Sequence, residues 1–324
     1  MILAEENYLK VAADSHAGMS GKNNEDRYGV FNYRLSASNE AQAVLAVVAD
    51  GIGGHRAGEI AAELAVETVS QAVGKSDASE PVKTLIDAII EAGELIREQA
   101  EGELSQKGMG ATCACVWVLG DKLYTATVGD SRIYLIRDQE IRQLSTDHTW
   151  VQEALDHGAL TPEQARNHPN VHVIRRYLGS PQPVVPDVRL RLDLEEDDAQ
   201  AERNQGTRLR PTDRLLLCSD GLTDLVKDEE ILAALQTNPL EAAVQYLINL
   251  ANHRGGHDNI TIVALDHGKA AQREPRSLGS RVALLGCLGL LFLLLVALGA
   301  AAFIGWYFSR PFPPEALEMI WRLV

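Results

Sequence analysis

Val44-Leu45-Ala46-Val47-Val48-Ala49-Asp50-Gly51 is an unbroken apolar run closed by an aspartate and a glycine. A continuous apolar run of this length reads as a core strand. The ending recurs. Ala126-Thr127-Val128-Gly129-Asp130-Ser131 and Leu216-Leu217-Cys218-Ser219-Asp220-Gly221 also pass from apolar residues into an aspartate, and Asp258-Asn259-Ile260-Thr261-Ile262-Val263 starts on one. Other strand-like runs lie at 113–119, 123–128, 133–136, 184–192, 215–218 and 260–265, with Gly120-Asp121 and Asp138-Gln139 as hairpin turns. Helical periodicity covers 58–73 and 81–101 with no strand between, then 150–157, 228–235 and 239–252. Hairpin-linked strands interrupted by paired helices lack the strict alternation of a doubly wound parallel sheet. The predicted class is α+β, with antiparallel sheets and helices packed outside.

Two stretches read as insertions. Residues 193–206, with Glu195-Glu196-Asp197-Asp198, are expected to form a solvated hairpin tip, and residues 148–179, rich in proline and histidine, a mobile flap.

The 324 residues, 46% hydrophobic and 23% charged, are enough to bury a substantial core. A net charge of -15 argues against a nucleic-acid partner, because phosphate backbones attract the opposite sign. The acidic excess reads as a self-repelling surface, with metal-binding carboxylates as a second contributor. The four cysteines lack the spacing of a zinc or redox site, so Cys113, Cys115, Cys218 and Cys287 are expected as buried small hydrophobes in a reducing compartment. Residues 1–10 carry Glu5 and Glu6 and no basic segment before an apolar run, so no secretory signal is expected.

From Val282 to Phe308 no charged residue occurs, and Trp306 and Tyr307 fall at the far end. At about 1.5 Å per residue such a helix reaches roughly 40 Å, more than the ~30 Å hydrocarbon core requires. Lys269, Arg273, Arg276 and Arg281 precede it, which places the preceding chain in the cytoplasm. The expected organisation is a domain at 1–266, a linker at 267–280, a transmembrane helix at 281–308 and a short extracytoplasmic tail at 309–324. This predicts a single-pass protein of the cell membrane.

Carboxylates at the ends of core strands converge on rigid elements. Unpaired, they repel and raise their own pKa values, a penalty that divalent cations remove. Oxygen-only ligands suit Mg2+ or Mn2+ rather than zinc. Gly51 lets a backbone carbonyl approach such an ion. Two ions a few ångströms apart bridge a water, lower its pKa and present hydroxide in line with a phosphorus atom. No Gly-x-Ser-x-Gly or cysteine nucleophile motif competes.

Taken in order, the motifs resemble the metal-dependent protein phosphatase family of the protein phosphatase 2C type, in its bacterial form. The matching stretches are Asn24-Glu25-Asp26-Arg27, Val48-Ala49-Asp50-Gly51-Ile52-Gly53-Gly54-His55 with Gly58-Glu59, and Gly108-Met109-Gly110-Ala111-Thr112. Val128-Gly129-Asp130-Ser131-Arg132, Thr146-Asp147-His148, Ser219-Asp220-Gly221-Leu222 and Asp258-Asn259-Ile260-Thr261 complete the set. The resemblance implies an antiparallel β-sandwich flanked by helices in four layers, α-β-β-α, with a binuclear Mn2+ or Mg2+ centre at one edge. It implies that Asp50 bridges the two ions with help from the Gly51 carbonyl, that Asp220 and Asp258 complete one site, and that Glu25 or Asp26 contributes directly or through water. Asp50, Asp220 and Asp258 are thereby the catalytic residues. Asp130, with Asp220, matches the positions that hold a third, weaker ion, and residues 148–179 match the family's flap.

Two positions depart from the pattern. Where many members carry a phosphate-binding arginine this chain has Gly21, with Lys22 beside it as a substitute anchor, unless phosphate binding rests on the metals alone. Where animal members carry a histidine after Asp-Gly this chain has Ile52, leaving the leaving-group proton to a metal-bound water or to His55. The implied activity is hydrolysis of phosphoserine and phosphothreonine on phosphoproteins, opposing a Ser/Thr kinase and acting on its substrates near the membrane. A catalytically inactive membrane-anchored sensor or scaffold is the main alternative; it predicts lost ligands, and every expected carboxylate is present. A phosphatase dedicated to one regulatory partner is a second alternative, but such enzymes usually carry attached sensory domains, and none is read here.

Overall fold

The valine-rich run lies in strand β4 (Gln42–Ala49), which is buried from Ala43 onward. Its uniform apolarity has a simple cause. Val44, Ala46 and Val48 face one core while Leu45, Val47 and Ala49 face another, so neither side of the pleat meets water. The computed structural model describes residues 1–4, 8–35, 41–53, 57–166, 168–268, 305 and 309. In it β4 belongs to a six-stranded sheet, between β3 (Arg27–Arg34) and β7 (Cys113–Leu119). β1 (Ile2–Leu3) lies beyond β3, and β8 (Lys122–Val128) and β11 (Thr207–Arg208) lie beyond β7. A five-stranded sheet runs in the order β10 (Glu140–Gln143), β9 (Arg132–Arg137), β12 (Arg214–Cys218), β13 (Ile260–Asp266) and β2 (Lys10–His16). Every pairing is antiparallel, including the short pair β5 (Gly51–Ile52) and β6 (Gly110–Ala111).

The sheets pack face to face through Val44, Ala46 and Val48 on one side and Leu215, Leu217 and Val263 on the other. Helices α1 (Ala57–Lys75) and α2 (Pro81–Gly102) cover the outer face of the larger sheet, setting Ala61, Val69, Leu85 and Ile89 against Leu45 and Val47. Helices α7 (Asp228–Thr237) and α8 (Leu240–His253) cover the other sheet, with Ile231, Val244 and Leu247 over Leu216, Cys218 and Ile262. The result is the expected order of helices, sheet, sheet and helices. Cys113, Cys115 and Cys218 are buried and unpaired as thiols.

Three expectations need correction. Residues 184–192 form no strand; they meet β8 in a single bridge, Thr127 with Asp187, because Arg189 and Arg191 turn toward Asp198. Residues 193–206 are not a hairpin tip. They contain helix α5 (Asp198–Arg203), opened by a capping box between Asp197 and Gln200, and Gln205 ties the segment to Thr125 and Val188. Strands β2 and β3 were not among the expected elements, since Asp14, Ser15, His16, Arg27, Asn32 and Arg34 interrupt their apolar pattern.

Residues 148–179 hold α3 (Trp150–Asp156) and α4 (Pro162–Arg166). The segment is tied at both ends, by the His148 N–H on the Gly129 carbonyl and by the pairing of Leu178 with Ala111. The chain divides into two units, Met1–Ala270 and Ala271–Val324. Apart from Gly305, the expected membrane segment at 281–308 lies outside the described residues, as do His55 and Cys287. Among the described residues no helix is long and apolar enough to cross a membrane.

Candidate metal centre

Strand register alone gathers the aspartates. In the larger sheet Arg27 pairs with Ala49, Val48 with Ala114 and Cys113 with Val128, so the start of β3 and the ends of β4 and β8 share one edge. In the other sheet Cys218 pairs with both Arg132 and Ile262, and Ile260 pairs with His16. The end of β12 and the starts of β9 and β13 therefore share an edge too. Asp26 precedes β3, Asp50 follows β4, and Asp130 lies in the crossing from β8 to β9. Asp220 opens the short helix α6 (Asp220–Thr223) after β12, and Asp258 precedes β13.

Hydrogen bonds stitch the two edges together. The Ser219 hydroxyl donates to Asp26 Oδ2 at 2.7 Å and accepts the Thr261 N–H at 3.0 Å. The Asn259 side chain accepts the Glu25 N–H at 2.7 Å and donates to the carbonyls of Ala17 and Asn23. Thr112 accepts the Asp50 N–H at 2.8 Å, and its hydroxyl shares a 2.7 Å bond with Ser131 beside Asp130. Glycines let the backbone close in around Glu25. A Cβ on Gly51 would stand 2.2 Å from the Gly58 carbonyl oxygen, and one on Gly58 would stand 2.6 Å from Glu25 Oε2.

The electrostatics are those of crowded like charges. Burial, then Asp26, Asp220, Asp130 and Asp258, push the Asp50 carboxyl well above the ordinary range. Asp220 is raised the same way by burial and by Asp130, Asp224, Asp258 and Asp26. Burial lifts Asp26 to about 6 against the pull of the Thr261 and Ser219 hydroxyls. Asp130 rises to about 7 through burial and Asp147, with Arg132 opposing. Glu25 is raised by burial and by Asp258, while the exposed Lys22 ammonium pulls it back. Each carboxylate named from the sequence is therefore within electrostatic reach of others in the group, and Lys22 stands beside Glu25.

The donor set fits hard cations. Asp26 Oδ1 and Asp220 Oδ1 are buried and have no hydrogen-bond partner. A buried carboxylate oxygen left without a donor, inside a cluster that raises its own pKa values, calls for positive charge. The three aspartates taken as catalytic are not the tightest group. Among the described residues, donor atoms of His172, Asp220 and Asp224 lie within 4.8 Å of one another.

Several contributors were not singled out from the sequence. Ser219 and Asn259 sit inside quoted motifs, but their side chains reach across the sandwich, and spacing along the chain carries no signal of that. His148 accepts the Gly129 N–H at Nδ1 (3.0 Å) and meets Asp187 through Nε2 (3.2 Å), holding the loop that carries Asp130. Asp224 had a readable signal, standing four residues after Asp220.

Residues 14–259 match the family model for protein phosphatase 2C. The chain belongs to that family. The serine/threonine protein phosphatase PstP of Mycobacterium tuberculosis is 38% identical over 262 residues, covering 80% of this chain. That match spans only 45% of the mycobacterial protein's length. The structure of the Streptococcus agalactiae serine/threonine phosphatase superposes with a TM-score of 0.68 at 34% identity, over 80% of this chain and 99% of that one. The catalytic domain of PstP in complex with two manganese ions superposes with a TM-score of 0.64 at 35% identity, over 80% of this chain and 97% of that one.

Proposed function

We propose that this chain hydrolyses phosphoserine and phosphothreonine on proteins and so opposes a Ser/Thr kinase. The observation that carries the reading is the convergence of Asp26, Asp50, Asp130, Asp220 and Asp258, drawn from both sheets, on one edge of the sandwich with two buried oxygens left without donors. Asp50, Asp220 and Asp258 would hold two Mn2+ or Mg2+ ions together with the Gly51 carbonyl, Glu25 or Asp26 adding to the set. Asp130 would share a third with Asp220. When bound, such ions supply the Lewis acidity that readies a water for attack and offsets phosphoryl charge.

The chain's own residues do the rest. Thr112 fixes the backbone at Asp50 and the Ser219 hydroxyl holds the Asp26 carboxylate, so the ligands would be set before substrate arrives. Lys22, exposed beside Glu25, would meet a substrate phosphate. Ile52 offers no proton, so the leaving alkoxide must be protonated by something other than a side chain at that position.

The test is release of phosphate from phosphoserine and phosphothreonine peptides with Mn2+, with EDTA and with Asp220→Asn. Turnover indifferent to chelator and substitution would overturn the reading.

The apolar segment at 281–308 would hold this domain at the cytoplasmic face of the cell membrane, concentrating it near membrane-bound kinases and their substrates. Fractionation of the full chain against one ending at residue 279 tests this. The full chain should pellet with membranes and the shorter one should stay in the supernatant with its activity.

A further inference from the structure

Glu25 and Asp26 lie in a turn held from two directions. Toward the five-stranded sheet, Asn24 donates to the Ser15 hydroxyl at 2.8 Å, Asn259 accepts the Glu25 N–H, and Ser219 donates to Asp26. Toward α1 the tie is Arg27, the first residue of β3, which pairs with Ala49 directly before Asp50. Its Nη1 donates to the carbonyls of Asn24 at 3.1 Å and Asp26 at 2.7 Å, and its Nη2 donates to Glu59 Oε1 at 2.5 Å. Both side chains of this ion pair are largely buried. Glu59 follows Gly58, against whose Cα the Glu25 carboxylate packs so closely that a Cβ there would stand 2.6 Å from Oε2. The Glu25 carbonyl is as tightly placed, 2.7 Å from where a Cβ on Gly51 would stand. Glu59 is also near enough to repel the Glu25 carboxylate, and its charge is met by the guanidinium.

We infer that Arg27, anchored by Glu59, is a positioning residue of the metal centre: it locks the Asn24–Asp26 turn against α1 and thereby sets where the Glu25 and Asp26 carboxylates stand. The inference rests on the hydrolytic reading and adds to it a pair that touches neither ion nor substrate. The chemistry calls for arginine. A planar guanidinium donates in fixed directions, so one side chain meets two carbonyls of the turn and a carboxylate of the helix at once. A lysine ammonium, on a flexible stem, keeps the charge without that geometry. Without the clamp, Glu25 is free to move away from Gly58, and the carboxylates meet a cation with poorer geometry.

The experiment titrates Mn2+ by calorimetry into the full-length wild type, Arg27→Ala, Glu59→Gln and the double variant, and measures phosphopeptide turnover at limiting and saturating Mn2+. Arg27→Ala should weaken Mn2+ binding about 10-fold or more, the scale of groups that orient metal ligands. Glu59→Gln, which keeps the shape and loses the charge, should weaken it several-fold. The double variant should be no worse than Arg27→Ala, because the two side chains act as a unit. At limiting Mn2+ the kcat of Arg27→Ala should fall while KM holds, and saturating Mn2+ should restore most of it. A merely structural role lowers the melting temperature and leaves Mn2+ affinity unchanged, which overturns the inference. So do losses that multiply in the double variant. A KM still raised at saturating Mn2+ overturns it too, since Arg27 would then be a phosphate contact. If Arg27→Ala does not fold, Glu59→Gln decides: wild-type Mn2+ affinity there refutes the clamp. A wild type that binds no Mn2+ sinks the hydrolytic reading and this inference together. A wild type that binds Mn2+ and turns over, beside an Arg27→Ala that matches it, sinks this inference alone.

Discussion

The Ser219 hydroxyl, just past the end of β12, donates to Asp26 Oδ2 at 2.7 Å from the opposite sheet, where Asp26 opens β3. The same hydroxyl accepts the Thr261 N–H, so one side chain joins three segments at the edge that carries the carboxylates. Ser219→Ala takes one donor from a buried carboxylate and leaves the buried Thr261 N–H without its partner. The expected cost is about 1–3 kcal/mol, read as a lower urea midpoint in metal-free protein, together with weaker Mn2+ binding. An unchanged midpoint would show that the bond carries no net weight.

Metal-free protein should lose stability as pH rises from 5 to 8. Asp26 and Asp130 are lifted to about 6 and about 7, and Asp50 and Asp220 are raised as well. The native state therefore holds protons that the unfolded chain, with carboxyls near about 4, has already released. That stabilisation is full below the unfolded pKa and is lost as pH climbs through the native values. Saturating Mn2+ reverses the slope, because cations bind the deprotonated form. Melting temperatures with EDTA and with Mn2+ across this range check both signs.

Asp50→Asn should move stability and activity in opposite directions. Without metal it removes one of the repelling buried charges and raises the melting temperature. With Mn2+ it removes one of the carboxylate oxygens proposed to hold the ions, and phosphopeptide turnover should fall by at least about 100-fold. A variant that loses stability in EDTA would contradict the electrostatic account.

Gly58→Ala should destabilise the domain although alanine is the better helix former by about 1 kcal/mol. The added methyl would stand 2.6 Å from Glu25 Oε2 and 2.8 Å from the Gly51 carbonyl carbon. Glu25 and Gly51 would have to move, so both the melting temperature and Mn2+ affinity should drop. A control at Gly102, where a Cβ meets nothing within 4 Å, should keep its Mn2+ affinity.

Lys22→Ala should raise KM for a phosphopeptide by about 3–10-fold, the scale of one exposed charge contact worth roughly 1 kcal/mol, while kcat holds. An unchanged KM removes Lys22 from phosphate binding.

Strands buried on both faces were legible because they tolerate no polar residue: β4, β7, β9, β12 and β13 all announce themselves as apolar runs. Strands β2 and β3 were not, since each carries polar residues to the carboxylate edge or to solvent and so breaks the pattern. The 184–192 run misled for the converse reason. Its apolar residues alternate correctly, but Arg189 and Arg191 find better partners in Asp187 and Asp198 than a strand edge offers.

Local order thus determined which residues end the core strands, that those ends are acidic, and that helices come in pairs; each follows from patterns of a few residues. Only the tertiary structure decided which sheet each strand joins and which side chains reach across the sandwich. Ser219 and Asp26 are 193 positions apart, and His172 and Asp224 meet only because the 148–179 segment folds back over α6. Register and sheet packing set those meetings, and they depend on the whole core closing at once rather than on any neighbour along the chain.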